Sequence, residues 1–177
     1  MRFTRIAAVA AISLLACASA SAQQPAATPP ANPLDNVPEK MPFDVPYGAP
    51  VSLDRAEAVL NAALGEAKKR DWKLVCAVVD SGAQLVALKR MDGAQIASVD
   101  VAAHKARASA KYRRETKVFE GGIQGGNNYL ITLDDVIASR GGIPLVLEGR
   151  LVGAIGCSGG TGSQDEVASR AGVAALR

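Results

Sequence analysis

The stretch that decides the fold is Gly141–Glu166, which reads GGIPLVLEGRLVGAIGCSGGTGSQDE. Two apolar runs in it, Ile143–Leu147 and Leu151–Cys157, have the length of buried strands. They are joined by Glu148-Gly149-Arg150, where the glycine can adopt the positive φ that a tight turn requires. The stretch therefore predicts a β-hairpin.

A glycine-rich loop, Ser158–Gly162, connects this hairpin to a predicted helix. The next residues, Ser163-Gln164-Asp165-Glu166, have the spacing of a capping box at a helix N-terminus. The alternative to a binding role is a close-packed corner that needs small residues and binds nothing. Because free N–H groups at such a junction can bind an anion, the candidate anion-binding residues are Ser158, Gly159, Gly160 and Ser163.

The composition indicates one domain with an aliphatic core. The chain has 177 residues, of which 49% are hydrophobic but only 4% are aromatic, so Ala, Val, Leu and Ile must fill its interior. The net charge of +3 would fall to +1 if Arg2 and Arg5 were removed with an N-terminal signal. So small a charge provides no electrostatic basis for nucleic-acid binding.

The N-terminus, residues 1–22, has the features of a secretory signal peptide. Two arginines precede a short apolar segment, Ile6–Ala16, and small residues then precede a cleavage site before Gln23. The apolar segment is too short for a permanent transmembrane helix. We therefore predict an exported protein with no membrane span. In the alternative, Cys17 ends a lipobox and carries a lipid anchor.

The next segment, residues 23–50, is rich in Pro, Ala, Gln and Asn, and this composition predicts a linker. Two parts of it, Met41-Pro42-Phe43 and Val45-Pro46-Tyr47, carry enough apolar surface to lie against the domain or a neighbouring subunit. Residues 51–177 are then the folded domain.

The first half of that domain combines helices with a hairpin. Leu53–Arg70 has apolar residues at helical spacing and predicts an amphipathic helix. Leu74–Val79 and Gln84–Arg90 flank the turn-forming Asp80-Ser81-Gly82 and predict a pair of strands. A second helix, rich in small residues, follows over Ser98–Lys111.

The second half carries shorter elements before the hairpin of the opening stretch. Thr116–Phe119 predicts a helical turn, Glu120–Asn128 an exposed glycine-rich loop, and Thr132–Asp135 the start of a short helix. Gln164–Leu176 predicts the terminal helix. Two hairpins interleaved with helices indicate an α+β domain with a largely antiparallel sheet. Neither a dinucleotide-binding nor a P-loop glycine motif is present.

The folded part contains, in order, the motifs Val78–Gly82, Arg90–Ala94, Lys105–Ala110, Gly141–Pro144, Gly153–Gly160 and Gln164–Glu166. In this order they resemble the GlcG/HbpS haem-binding family, which is similar to the C-terminal domain of PduO-type proteins. The resemblance implies an antiparallel sheet of about four to five strands flanked by helices, in a profilin-like layered arrangement. It also implies a homo-oligomer built from dimers, binding of haem or another tetrapyrrole, and a bacterial protein. Together with the predicted signal peptide, a bacterial origin predicts a periplasmic or secreted protein.

His104 is the only histidine of the chain and the natural candidate for axial ligation of haem iron. Tyr112, Tyr129 and Met91 can also bind iron. The alternative for His104 is a helical histidine without a ligand. Covalent haem attachment is not expected, because no Cys-x-x-Cys-His motif occurs.

Arg90, Asp92 and Lys105 are candidates for a polar pocket at the sheet edge. An arginine there can bind a carboxylate, such as a haem propionate or a small organic acid. Lys105 is a second candidate partner for a propionate. The alternative is a turn tied by an Arg90–Asp92 ion pair.

Cys76 and Cys157 remain after removal of a signal peptide, and both fall within predicted strands. We interpret them as two small buried residues. In the alternative, neighbouring strands and an oxidising compartment allow a disulfide.

The sequence favours binding over catalysis, since it shows no acid–base pair or nucleophile triad. The first hypothesis is an exported haem- or tetrapyrrole-binding accessory protein. The second is an enzyme or binding module for a small organic acid, held at Ser158–Glu166. The third is an oligomeric accessory protein that binds no small ligand.

Overall fold

The computed structural model describes residues 35–177. The predictions of a signal peptide, of a lipid anchor at Cys17 and of the first part of the linker concern residues outside this range. Within the described range, no helix is long and apolar enough to cross a membrane.

Within residues 35–177, the fold contains four α-helices, one 3-10 helix and four strands. In chain order they are α1 (Leu53–Lys69), β1 (Val75–Asp80), β2 (Leu85–Arg90), α2 (Ser98–Tyr112), α3 (Lys117–Gln124), the 3-10 helix (Asn128–Thr132), β3 (Gly142–Leu147), β4 (Arg150–Ser158) and α4 (Gly162–Val173).

The four strands form one antiparallel sheet in the order β2-β1-β4-β3. Both predicted hairpins are present, and the second places β4 beside β1 in the centre of the sheet. Helices α1 and α4 pack together on one face, and α2 packs on the other. The prediction of an α+β fold with an antiparallel sheet is therefore confirmed.

Helix α2 lies unusually close to the sheet because β4 is rich in glycine. A Cβ atom at Gly156 would lie 2.3 Å from the carbonyl oxygen of Ala102 and 2.5 Å from the amide nitrogen of Ala106. Only glycine leaves room for the helix backbone at this position. Small residues on both elements thus form the interface, in agreement with the aliphatic composition.

The arm before α1 is ordered against the hairpin. The amide of Leu151 donates to the carbonyl of Pro46, and the amides of Gly48 and Val51 donate to carbonyls of β4. The Tyr47 hydroxyl donates to the carbonyl of Lys111 at 2.8 Å. The end of the predicted linker, from Pro46 onward, is therefore tied to the folded domain by backbone hydrogen bonds and by the Tyr47 hydroxyl.

Two predictions near helix ends are wrong. The capping box at α4 is formed by Thr161 and Gln164, two residues before the predicted one. The sequence contains two possible capping boxes, Thr161–Gln164 and Ser163–Glu166. The first one forms because Thr161 has the extended backbone that an N-cap needs. The short helix predicted from Thr132 is also absent, because the 3-10 helix ends there and Asp135 has a left-handed φ of 59°.

The loop predicted over Glu120–Asn128 is largely the helix α3, which runs to Gln124. Its two glycines disfavour a helix locally, but tertiary contacts override them. Phe119 is buried, and a Cβ at Gly122 would lie 2.5 Å from Leu130. Glycine therefore allows the following 3-10 helix to pack closely on α3.

The preferred interpretation of the cysteines is also wrong, because Cys76 and Cys157 form a disulfide. They lie directly opposite each other on β1 and β4. Their spatial pairing depends on strand order and register, which the spacing of the two residues along the chain does not specify.

Candidate functional site

His104 lies on α2 and is partly buried. Its Nε2 atom is buried and has no hydrogen-bond partner among residues 35–177. Asp135, on the segment after the 3-10 helix, interacts electrostatically with His104. A hydrogen bond from Lys111 lowers the pKa of Asp135 most, and the charges of Arg107 and His104 lower it further. Within residues 35–177, His104 therefore combines a buried, unpartnered ring nitrogen with a carboxylate close enough to interact with it electrostatically.

The other predicted iron ligands are placed less favourably. The Tyr112 hydroxyl donates to the carbonyl of Asp134 at 2.6 Å, and its ring packs edge-on against Phe119. Tyr129 is exposed on the 3-10 helix, and Met91 packs against the main core beneath α1. A phenolate at Tyr112 would lose its hydrogen bond, so this residue serves as a structural anchor in the described chain.

Arg90 and Asp92 do not form the predicted ion pair within residues 35–177. Arg90 instead donates to the carbonyl of Ala94 at 3.0 Å, which closes the turn before α2. Asp92 is exposed. The turn is therefore tied through a backbone carbonyl, and no hydrogen bond or ion pair within this range joins either residue to Lys105.

Lys105 belongs to a different environment from the predicted pocket. Its side chain is only 1% exposed, and its Nζ atom lies 2.8 Å from Oδ2 of Asp165, which is 3% exposed. The other oxygen of Asp165 accepts the amide of Gly160 at 3.0 Å. Lys105 thus links α2 to the N-terminus of α4 by a buried ion pair and presents no free charge to a propionate.

The predicted anion-binding loop uses its own donors internally. The Gly160 amide binds Asp165, and the Thr161 amide donates to Oε1 of Gln164 at 2.7 Å. Ser158 is buried and its hydroxyl donates to Ser98. The predicted binding residue Gly159 packs against the backbone of Lys73, whereas Ser163 is exposed. Carboxylate and amide oxygens of the chain therefore occupy positions where an external anion would bind.

A cavity of about 510 Å³ opens along β3, the edge strand of the sheet. Its apolar wall consists of Phe43, Val118, Ile143, Pro144, Val146 and Val173. Its charged residues are Arg113, Arg114, Glu115 and Arg170. We call it the β3 cavity.

The charges of the β3 cavity are not balanced. Arg170 binds Glu115 and Glu166, both at 2.7 Å. Arg113 and Arg114 form no ion pair within residues 35–177. Burial is the main cause that lowers the pKa of the Arg114 guanidinium; the neighbouring Arg113 also lowers it, whereas Tyr129 and Tyr112 oppose the shift. The cavity therefore contains two cationic groups without a carboxylate partner.

The N-terminal arm holds these two arginines in place. The Arg114 guanidinium stacks on the Phe43 ring, with 3.5 Å between its central carbon and the ring centroid. Arg113 donates to the carbonyl of Val45 at 3.1 Å and lies over the Tyr47 ring. Nε of Arg114 donates to the carbonyl of Tyr112 at 2.9 Å. Stacking on aromatic rings leaves the remaining N–H groups of both guanidiniums available to bind a carboxylate.

Sequence reasoning missed the β3 cavity, because its residues come from four separate parts of the chain. The only local signal is the pair Arg113-Arg114 at the C-terminus of α2, where basic residues also suit the helix dipole. Within residues 35–177, no group of three His, Cys, Asp or Glu side chains is placed to hold a metal ion.

The model of the family described as "Haem degrading protein HbpS-like" matches residues 51–174. The GlcG protein of Escherichia coli K12 is 37% identical over 108 residues, which cover 61% of this chain and 81% of GlcG. A double mutant of Streptomyces reticuli HbpS has 28% identity and a TM-score of 0.69, with 86% of this chain and 99% of that chain covered.

A third similar structure is a PduOC–haem complex, with 24% identity and a TM-score of 0.67. The match covers 73% of this chain and 96% of that one. At this identity the likeness shows a shared fold alone.

Proposed function

The chain belongs to the HbpS-like family, and we propose that it is an exported accessory protein that binds haem or another tetrapyrrole. The observation that carries the proposal is the buried Nε2 atom of His104, which has no partner within residues 35–177. Leaving a buried polar atom unsatisfied typically costs about 1–3 kcal/mol. A ligand that engages this atom would remove that cost.

The chemistry of His104 suits haem. A neutral imidazole binds iron through an unprotonated ring nitrogen, and Nε2 can supply the lone pair. Haem would add an iron centre that accepts this nitrogen. The protein would contribute the ligand and its surroundings, including Asp135 nearby, whose charge would favour a cationic iron.

An exposed apolar surface precedes Asp135 along the chain. In the 3-10 helix Ile131 is 71% exposed and Tyr129 is also exposed, and the exposed Leu133 follows the helix. Exposed apolar groups clustered in one segment are typical of a binding surface. We propose that this segment covers one face of the tetrapyrrole.

A haemin titration followed at the Soret band tests the proposal. The purified protein should show a saturable shift, and His104→Ala should weaken binding by more than about tenfold, since even residues that merely support a metal ligand contribute 10–100-fold. Added imidazole should restore the wild-type spectrum by replacing the lost ligand.

Lys89→Gln is the matched control, because it removes one lysine charge on β2, where Lys89 binds Asn61 and Glu57 of α1. It should bind haemin like the wild type. No saturable Soret change in the wild type would refute haem binding, whereas an unchanged affinity in His104→Ala would refute only the ligand role.

Export and assembly are further parts of the proposal. Cell fractionation with mass determination would distinguish a mature protein that starts at Gln23 in the periplasm or medium from one lipidated at Cys17. Sedimentation of the purified protein tests the homo-oligomer.

A further inference from the structure

The β3 cavity joins two features that together specify a ligand. Its wall is apolar, with Phe43, Ile143 and Val146 among its residues. Its rim holds the guanidinium groups of Arg113 and Arg114, which have no carboxylate partner within residues 35–177. The third arginine of the cavity, Arg170, is neutralised by Glu115 and Glu166. An apolar body with one anionic end complements such a surface.

An added β-strand is a poorer occupant of this edge. Pro144 lies in the middle of β3 and has no N–H to donate to a further strand. The arm residue Phe43 also lies in the cavity. Edge strands are commonly protected from strand addition by such a proline, and the space beside it is left for a small molecule.

We propose that the β3 cavity binds a carboxylate with an aliphatic or aromatic body, such as a medium-chain fatty acid. The carboxylate binds the N–H groups of Arg113 and Arg114 that the Val45 and Tyr112 carbonyls leave free. The hydrocarbon lies against Ile143, Pro144 and Val146. Arginine recognises carboxylates through paired, charge-assisted hydrogen bonds. Phe43 and the arm preorganise the site, because they hold both guanidinium groups before the ligand arrives.

This cavity is separate from the proposed haem site. His104 and Arg113 are nine residues apart, and Arg113 lies beyond the last helical residue of α2, in the left-handed conformation that ends the helix. His104 is not among the residues that line the cavity. The inference does not rest on haem binding.

Titration calorimetry with octanoate tests the inference, with 1-octanol as the uncharged analogue of the same chain length. The wild type should bind octanoate saturably and at least about tenfold more tightly than 1-octanol, since hydrogen bonds to charged groups contribute about 1.5–3 kcal/mol. The variant Arg113→Gln/Arg114→Gln should lose this preference. Arg150→Gln, on the exposed rim of a smaller cavity at the other hairpin end, should bind like the wild type.

The inference would be overturned if the wild type showed no saturable octanoate binding, or if the double variant bound octanoate as tightly as the wild type. It would also be overturned if Arg150→Gln weakened octanoate binding as much as the double variant does. Circular dichroism and sedimentation of each variant complete the test. A double variant that loses octanoate while changing its oligomeric state would show that the arginines act on assembly, and this also contradicts the proposal.

A parallel haemin titration of the double variant separates this site from the haem proposal. An unchanged Soret response with lost octanoate binding supports two independent sites. Loss of the Soret response instead would assign the arginines to haem propionates and overturn the proposal of a separate fatty-acid site.

Discussion

At the scale of single residues, the chemistry of a side chain depends on what surrounds it. Lys105 and Arg114 are both basic residues near α2, yet one is neutralised by Asp165 and the other lies on an aromatic ring without an acidic partner. Burying a lysine without a counter-ion is prohibitive, so Lys105 and Asp165 stabilise the fold only as a pair.

The Lys105–Asp165 pair leads to a prediction about stability. Lys105→Met or Asp165→Asn alone should lower the free energy of unfolding by about 3–5 kcal/mol, because each leaves a buried charge unpaired. The double variant should recover part of this loss, since the side-chain carbonyl of the introduced asparagine can still accept the Gly160 amide. Urea denaturation measures the free energy of unfolding of the two single variants and the double variant.

Lys111→Gln is the control for this series. Lys111 also pairs with an aspartate, but its side chain is 47% exposed, and exposed pairs contribute about 0–1 kcal/mol. A loss in Lys105→Met no larger than in Lys111→Gln would show that the buried pair is not a determinant of stability.

At the scale of elements, the close contact between β4 and α2 organises the sheet. Gly156 allows the backbone of α2 to approach the strand, and Lys105, one turn along the same helix face from Ala102, then reaches the start of α4. The hairpin was predictable from its apolar runs and turn, whereas the distance between strand and helix depends on side chains that meet only in the folded chain.

Gly156→Ala tests this contact. The added methyl group would clash with backbone atoms of α2, which cannot rotate away as a side chain can, so we expect a loss of about 1–3 kcal/mol or more. Thermal and urea unfolding would show it. Gly65→Ala is the matched control, because no heavy atom lies within 4 Å of the new Cβ in α1, and alanine should stabilise this helix by up to about 1 kcal/mol. Equal effects at both positions would contradict close packing at Gly156.

At the scale of the whole molecule, one disulfide joins the two central strands. Cys76 and Cys157 are 81 residues apart in sequence, and the enclosed chain contains β2, α2, α3 and β3. The bond therefore restricts the unfolded chain over much of the domain. Such a cross-link is compatible with the proposed export to an oxidising compartment.

Reduction should destabilise the domain by about 2–4 kcal/mol, because the open chain gains conformational freedom on unfolding. Urea unfolding with and without a reductant measures this effect. The variant Cys76→Ala/Cys157→Ala should be insensitive to the reductant. Two free thiols in the oxidised protein, detected by mass spectrometry after alkylation, would contradict the bond.

The sequence by itself determined the elements and the family. Hydrophobic runs, turn residues and helical spacing depend on neighbours along the chain, and these established two hairpins, the main helices and the α+β class. The ordered motifs established the HbpS-like resemblance, which the family match confirms. The local signals of the sequence did not predict which of two overlapping capping boxes begins α4, or that a segment with two glycines forms α3.

Only the tertiary structure decided which side chains meet. Strand order placed Cys76 opposite Cys157, and the packing of α2 and α4 on the sheet brought Lys105 to Asp165. The docked arm brought Phe43 to Arg114, about 70 residues further along the chain. The physical reason is that burial and charge balance depend on distances in space, which residues far apart in sequence acquire only when the sheet and its helices have assembled.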